Sequence, residues 1–379
     1  MNKILFITNL ANKIGSFSLQ SISASKSIGA EFYMAGNWAN AKNEDFASFE
    51  SEYGIHIINI PISRNPFAKT NFTAYKELVA LIRKENIDYI HCNTPTGGIL
   101  GRLAGKKCKV KKVIYQAHGF HFYKGAPKKN WLVYYPVEKW LAHHTDALIT
   151  INREDFELAE RKMKLRKGGK VYYVPGVGID TSQYGLSKES REGKRLELGL
   201  SGNDVALISM GDLIERKNYD TAIRAIAKAN DPALQYFICG KGPMEEALKA
   251  LAESLGVSGQ IHFLGFRSDI KELLSAADIF LFTTKQEGLP RSMMEAMASG
   301  LPCVASKIRG NTDLIEEGEG GFLCAPTDSD GFAQAIGMLC HDTSLCTKMS
   351  EFNRAKIKEF DVSVVEKEIR SIYAEVLGE

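Results

Sequence analysis

The sequence predicts an α/β protein built from two successive parallel-sheet units. Three observations carry this. Short apolar runs of strand length alternate with amphipathic stretches of helical period, the pattern of strand–helix–strand crossovers. The runs fall into two series, and the polar, charged stretch 185–202 between them has no strand signal. With 379 residues, 44% hydrophobic and 25% charged, the chain can bury a sizeable core and divides into two or three domains.

The first series of strands is predicted at 4–8, 31–34, 55–60, 89–92, 113–116, 147–151 and 171–174. The second restarts at 205–210 and continues at 235–239, 261–263, 279–282, 303–305 and 321–323. Helical periodicity fills the gaps, for example over 220–229 and 245–255. These series give an expected division into 1–185 and 186–361. Ligands of such sheets bind at the carboxyl ends of the strands.

Composition excludes several classes. A net charge of +3 implies no nucleic-acid partner, and no run of about 18 apolar residues predicts a membrane span. The start, Met1-Asn-Lys-Ile-Leu-Phe-Ile-Thr, lacks the length and cleavage site of a signal peptide and reads as a first buried strand. Seven cysteines are scattered without a C-x-x-C spacing, and Cys92, Cys239 and Cys303 fall in apolar runs. That usage suits a reducing compartment, so a cytoplasmic protein is expected.

The most informative segment is Glu287-Gly-Leu-Pro-Arg-Ser-Met-Met-Glu295, followed by Ala-Met-Ala-Ser-Gly300-Leu-Pro302. Pro290 suits the first helical position, where its missing N–H costs nothing. Glu287 then lies on the loop feeding a helix and Glu295 on the second turn. Free N–H groups of the helix start lie between two carboxylates, an arrangement that suits a phosphate carrying hydroxyl-rich groups on either side, such as a nucleotide sugar. The plainer reading is two solvated acids near a helix start.

The whole string, Glu-Gly-Leu-Pro-x-x-x-x-Glu-Ala-Met-Ala-x-Gly-x-Pro, resembles the signature of retaining glycosyltransferases of family 4. The resemblance implies the GT-B fold, two Rossmann-like parallel-sheet domains facing across a cleft. Residues 1–185 would be the acceptor side and 186–361 the nucleotide-sugar domain, with the last helix, 362–379, crossing back onto the first. It also implies that Glu295 binds the ribose hydroxyls and that Glu287 holds donor-sugar hydroxyls or developing positive charge. Backbone N–H groups near Gly288 and Leu289 would meet the phosphates. The strings His118-Gly-Phe-His-Phe-Tyr and Arg-Ser-Met-Met-Glu-Ala resemble the branch that builds bacterial capsular, exopolysaccharide or O-antigen repeat units.

Further loops acquire roles from the same resemblance. Lys217, in Gly211-Asp-Leu-Ile-Glu-Arg216-Lys217-Asn218, stands where the family places a phosphate-binding lysine. Asp212 stands where family members commonly have an arginine, which leaves Arg216 as the neighbouring source of a second positive contact. Gly240-Lys-Gly242 is a fragment of a dinucleotide fingerprint whose glycines would admit a nucleotide to the turn. The backbone around Phe266 and Arg267 would receive the nucleobase, while Asp269 reads as a helix cap. His118 matches the histidine that contacts the donor sugar. Gly15 sits in a loop like the one approaching the donor diphosphate.

No metal is expected. His121 follows His118 at i+3 but has no Cys or carboxylate nearby, and Asp328-Ser-Asp330 reads as a cap rather than a metal-binding D-x-D.

Residues 102–145 are strongly basic, with Arg102, Lys106, Lys107, Lys109, Lys111, Lys112, Lys124, Lys128, Lys129 and Lys139 against Glu138 alone. Aromatics interleave, Trp131, Tyr134, Tyr135 and Trp140 among them. Such a segment suits an interfacial membrane surface, with Lys128, Lys129, Trp131, Tyr134 and Tyr135 at the contact. The same composition could bind nucleic acid, and it also suits a helix with aromatics facing the core and lysines facing water.

The expected reaction is transfer, with retention, of a hexose or N-acetylhexosamine from a UDP-sugar. The expected acceptor is an undecaprenyl-diphosphate-linked glycan at the inner face of the membrane. A sugar-nucleotide 2-epimerase on the same fold and a transferase using a soluble acceptor are the alternatives. The missing G-x-G-x-x-G argues against a nicotinamide dehydrogenase.

Overall fold

A computed structural model of the chain describes residues 1–11, 13–39, 41, 43–185 and 187–378. It divides into two compact units, Met1–Gly178 together with residues from Ser363 on, and Ile179–Val362.

The first unit holds β1 (Lys3–Leu10), β2 (Glu31–Asn37), β3 (His56–Asn59), β4 (Tyr89–Asn93), β5 (Lys112–Ala117), β6 (Ala147–Thr150) and β7 (Lys170–Tyr173). They form one sheet in the order β3-β2-β1-β4-β5-β6-β7, every neighbouring pair parallel. The second unit holds β8 (Val205–Met210), β9 (Leu234–Cys239), β10 (Ile261–Gly265), β11 (Ile279–Phe282), β12 (Cys303–Ser306) and β13 (Gly321–Cys324). Their order is β10-β9-β8-β11-β12-β13, again parallel throughout. Each of the thirteen predicted runs is a strand.

Helices cover both faces of such sheets, so the strands read as continuous apolar runs rather than alternating ones. Ile4, Leu5, Phe6 and Ile7 of β1 are all buried, as are Ala206, Leu207 and Ile208 of β8. In each sheet the strand order reverses beside the first strand, between β1 and β4 and between β8 and β11. That reversal opens a crevice at the carboxyl ends, where ligands of doubly wound sheets settle.

The expected boundary at 185 and the reading of 185–202 as a stretch between the units are corrected. The units part between Gly178 and Ile179, and Lys188–Glu197 is a helix of the second unit. Arg191 and Arg195 fasten it, donating to the two carboxylate oxygens of Asp278 at 2.5 and 3.0 Å. Because ion pairs rather than an apolar stripe hold this helix, its sequence looks like a linker.

The C-terminal helix Val362–Leu377 packs on the first unit through Val365, Ile369, Ile372, Tyr373 and Leu377, one face of a helical repeat. Tyr373 places its hydroxyl 2.8 Å from His91 Nδ1, and the Tyr89 hydroxyl donates to Leu377 O at 3.1 Å.

Candidate functional site

In the second unit, four loops leave the carboxyl ends of β8, β9, β10 and β11. Beyond β8 the chain makes a short 3-10 turn, Glu215–Lys217, and then places Asn218 at φ 59°. The Asn218 amide donates to Thr283 O at 2.8 Å and to Pro326 O at 2.7 Å, tying the β8 loop to the β11 loop. The tie sets Arg216 and Lys217 beside the residue that opens the signature segment. Glu287 Oε1 accepts from Lys217 Nζ at 2.8 Å, from Arg216 Nη1 at 2.8 Å and from Thr284 Oγ1 at 2.9 Å. Lys217 and Glu287 are largely shielded, at 13% side-chain exposure each, while Arg216 is open at 39%. Two cations share one carboxylate, so the cluster keeps a surplus positive charge that an anionic ligand can meet. Asp212 lies exposed, and the second cation of this cluster is Arg216.

The glycines of the β9 loop have a nearer task than admitting a nucleotide. A Cβ at Gly240 would stand 1.9 Å from Gly211 O, and one at Gly242 would stand 2.4 Å from Leu213 O. Backbone bonds lace the loops together, Gly211 N to Cys239 O at 2.9 Å, Leu213 N to Lys241 O at 3.0 Å and Gly240 N to Gly265 O at 2.8 Å. Both glycines therefore serve loop-against-loop packing, which holds the β8 loop and its lysine in place.

Glu295 lies on the Arg291–Ser299 helix. Pro290 precedes that helix in its N-cap position instead of opening it, and no side chain caps the first turn. Glu295 Oε1 accepts from Arg291 Nε at 3.0 Å. The Tyr184 phenol lies beside it, and burial followed by the Glu295 carboxylate pushes its pKa well above the ordinary range. Arg309 is buried and donates from Nε to Glu287 O at 3.1 Å, and Gly310 lets its loop press against Gly288, whose O would lie 2.3 Å from an added Cβ. Sequence reasoning missed Tyr184, Thr284, Arg309 and Gly310. Only the last pair carried a signal, an Arg-Gly just beyond β12 at the same end of the sheet.

Phe266 follows β10 and stands 78% exposed. Arg267 is committed to Asp269, donating from Nε at 2.7 Å and from Nη2 at 2.5 Å, with Lys194 on the same carboxylate at 2.8 Å. Asp269 thus occupies the cap position of the Ile270–Ala276 helix without capping it. Its bonds to Arg267, ahead of those to Lys194, hold its pKa far below the usual carboxylate range. Asp328 does cap, accepting from Gly331 N at 2.9 Å, and Asp330 pairs with Lys228 at 2.7 Å.

In the first unit, a cavity of about 280 Å³ opens at the β1–β4 reversal, with Lys13, Gly15, Phe17, Asn93, Thr94 and His118 among its lining. Gly15 is the N-cap of the Ser16–Ser27 helix and offers no side-chain cap. His118 follows β5, with Nε2 3.0 Å from Asn93 Oδ1 and the Phe17 ring edge-on at 3.9 Å between centroids. Burial lowers its pKa to about 4, so the imidazole is neutral at neutral pH. His121 packs against the Tyr134 ring at 4.6 Å. Among the described residues no three His, Cys, Asp or Glu side chains gather as a metal-holding group.

In the basic segment Trp131, Tyr134 and Tyr135 follow the core-facing reading and not the membrane-contact one. Arg102 is buried, its Nη1 2.8 Å from Glu138 Oε2 and its guanidinium 3.8 Å above the Tyr115 ring. Helix Lys128–Ala142 turns Trp131, Tyr134 and Tyr135 toward the first unit's core. Trp131 and Tyr135 lie 5.5 and 5.4 Å from Phe122 between ring centroids. These three aromatics are not the outward surface. Helical period instead turns out Leu132 (76% exposed), Val133, Val137 and Trp140 (50%), with Lys128, Lys129 and Lys139 alongside. Among the described residues no helix is long and apolar enough to cross a membrane.

Comparison with known proteins decides the family. Residues 190–356 match the glycosyl transferases group 1 family, and residues 39–152 match a glycosyl transferase 4-like family. Over 377 residues the chain is 37% identical to the putative glycosyltransferase EpsD of Bacillus subtilis, covering 98% of this chain and 96% of that one. The chain belongs to the group 1 glycosyltransferases. This glycosyltransferase is also 28% identical, over 79% of its length and 78% of the relative's, to an Escherichia coli enzyme. That enzyme is named UDP-Gal:alpha-D-GlcNAc-diphosphoundecaprenol alpha-1,3-galactosyltransferase. Among solved structures, Anabaena HepE in complex with UDP superposes with a TM-score of 0.80 at 21% identity, over 99% of this chain and 100% of that one. The glycosyltransferase therefore has the GT-B fold, and its two units are the two Rossmann-like domains of that fold.

Proposed function

We propose that this glycosyltransferase moves a hexose or N-acetylhexosamine from a UDP-sugar to an undecaprenyl-diphosphate-linked acceptor, with retention, in the building of a bacterial surface polysaccharide. The observation that carries it is the Glu287 cluster. Lys217 and Arg216 converge on one carboxylate at the β8–β11 reversal, next to a helix start without a side-chain cap. Such a place binds a diphosphate through charge and N–H groups and a sugar through the carboxylate. The UDP bound to HepE and the lipid-linked acceptor in the E. coli relative's name support this reading. Glu295 takes the ribose, Phe266 and the backbone at Arg267 meet the base, and the N–H groups near Gly288 and Leu289 meet the phosphates. His118 accepts a hydrogen bond from a hydroxyl of the transferred sugar. The leaving diphosphate, stabilised by Lys217, takes the proton of the acceptor hydroxyl as that oxygen attacks from the same face.

A panel of UDP-glucose, UDP-galactose and UDP-N-acetylglucosamine tests the donor class by protection against thermal unfolding. At least one raises the melting temperature more than UMP does; protection by none removes the UDP-sugar assignment. UDP-N-acetylglucosamine incubated alone without forming its 2-epimer separates transfer from epimerisation.

Glu295→Ala raises the donor KM roughly 10- to 100-fold and changes kcat less, because ribose contacts are made equally in ground and transition states. Steady-state kinetics of UDP release checks this, and an unchanged KM removes the ribose role.

Activity persists in EDTA, since Lys217, Arg216 and the helix start supply the charge that a metal would otherwise bring to the diphosphate. Loss of UDP release in EDTA, restored by magnesium or manganese, contradicts this.

The protein acts on the cytoplasmic side and docks peripherally through the Lys128–Ala142 helix. Leu132, Val133, Val137 and Trp140 enter the interface while Lys128, Lys129 and Lys139 meet anionic headgroups, at about 1 kcal/mol per basic residue. In flotation with phosphatidylglycerol vesicles at low salt, Lys128→Glu/Lys129→Glu and Leu132→Ser/Trp140→Ser each reduce binding about tenfold or more. Wild-type protein that stays with the pellet counts against docking and favours a soluble acceptor.

A further inference from the structure

We infer that Asn93 is a positioning residue for His118: its side-chain oxygen holds the Nε2 hydrogen, so that Nδ1 faces the ligand as an acceptor. The inference rests on the proposed contact between His118 and a hydroxyl of the transferred sugar.

The geometry is specific. Asn93 ends β4, is 2% exposed, and holds Oδ1 3.0 Å from His118 Nε2. Phe17 lies edge-on against the same imidazole, which limits the ring's rotation. The chain just beyond is fixed by the following residue. Thr94 stands at φ 65°, in the left-handed region for a β-branched side chain, and donates from Oγ1 to Asn9 Oδ1 at 2.8 Å. Asn9 Oδ1 also accepts from Gly97 N at 2.7 Å. Strain of this kind persists where the surroundings over-determine it, and it clusters at ligand sites.

The second observation is the other half of the amide. Asn93 Nδ2 is buried and has no hydrogen-bond partner among the described residues, although the residue lines the 280 Å³ cavity together with His118. A buried amide hydrogen without a partner is costly, and such groups call for an explanation at a ligand site. An amide suits both tasks here, one atom accepting from imidazole and the other donating to a sugar hydroxyl.

The protonation state follows from the surroundings. Lys13 is the one charged residue among the described lining of the cavity. His91, the next titratable group, lies on β4 with its own pKa lowered to about 3 by burial, and its Nδ1 faces the Tyr373 hydroxyl. No carboxylate in the lining favours imidazolium. A neutral imidazole has a single N–H, and Asn93 takes it. A carboxylate in place of the amide would raise the histidine pKa and turn the acceptor into a donor.

Nitrogen-15 NMR of histidine-labelled protein tests this, with the His118 signals identified by their loss in His118→Ala. Wild type shows one neutral Nε2–H tautomer at pH 7. Asn93→Ala mixes the tautomers, and Asn93→Asp moves the His118 titration into the neutral range. With whichever UDP-sugar of the panel wild type turns over, Asn93→Ala lowers kcat about tenfold or more with a smaller change in KM. The Asn93→Asp rate climbs with pH through the raised His118 pKa, where the wild-type rate is flat. An Nδ1–H tautomer or a cation in wild type at pH 7, or an unchanged tautomer in Asn93→Ala, overturns the inference. Full turnover by His118→Ala would instead remove the His118 contact itself. Loss in His118→Ala with none in Asn93→Ala removes the Asn93 inference alone.

Discussion

Lys217→Ala lowers kcat by about 10²- to 10³-fold, the range found when one preorganised donor to a developing anion is deleted. The lysine is shielded, its Nζ is fixed 2.8 Å from Glu287, and it lies 5.1 Å above the Phe282 ring. It therefore needs little reorganisation when charge builds on the leaving diphosphate. Folding survives the substitution, because Glu287 keeps Arg216 and Thr284 as donors. Arg216→Ala costs less, since that side chain is 39% exposed and water screens it. Glu287→Gln keeps the shape but removes the charge, so it lowers kcat more than it raises KM. Single-turnover release of UDP from purified variants checks the order. A larger loss in Arg216→Ala than in Lys217→Ala would mean that the loop carrying Asp212 holds the diphosphate in another way.

Glu138→Ala destabilises the first unit by about 3–5 kcal/mol, the usual cost of leaving one member of a buried ion pair alone. Arg102 is 1% exposed and Glu138 13%, and Glu138 Oε1 also accepts from the Tyr115 hydroxyl at 3.3 Å. Removing the carboxylate leaves a guanidinium that is far from water and supported, among the described residues, by Gly98 O and the Tyr115 ring. Arg102→Met/Glu138→Leu, which removes both charges, costs much less or stabilises. Urea unfolding followed by fluorescence of Trp131, whose ring packs in the same cluster, measures the difference. Equal losses in the single and double variants would show that packing rather than charge carries the effect.

The fold was legible because parallel strands buried on both faces are continuous apolar runs, which leave the same mark wherever they occur. The last helix and its return to the first unit were expected from the family resemblance alone. Elements held by charge were not legible. The Lys188–Glu197 helix rests on Asp278, and Arg102 is buried only because Glu138 lies 36 positions away in sequence yet 2.8 Å away in space. Reading charge as exposure failed in both places. For the Lys128–Ala142 helix the sequence left open which way the aromatics face, and the structure decides it by turning Trp131, Tyr134 and Tyr135 inward and leaving Leu132 and Val133 outside. At the candidate site, the signature named Glu287 and Glu295. It carried nothing of Thr284, Tyr184 or Asn93, which reach their places through tertiary contacts rather than local spacing.

The most direct test is the product. Purified protein in EDTA is given UDP-glucose, UDP-galactose, UDP-N-acetylglucosamine and UDP-N-acetylgalactosamine in turn, with short-chain undecaprenyl-diphosphate-sugar analogues as acceptors. Proton NMR then reads the anomeric signal of the new linkage. At least one donor releases UDP and forms an α-glycosidic bond, and Lys217→Ala lowers both signals together by the same factor of about 10² to 10³. A β-linked product, a 2-epimerised nucleotide sugar without transfer, or release unaffected by Lys217→Ala would contradict this.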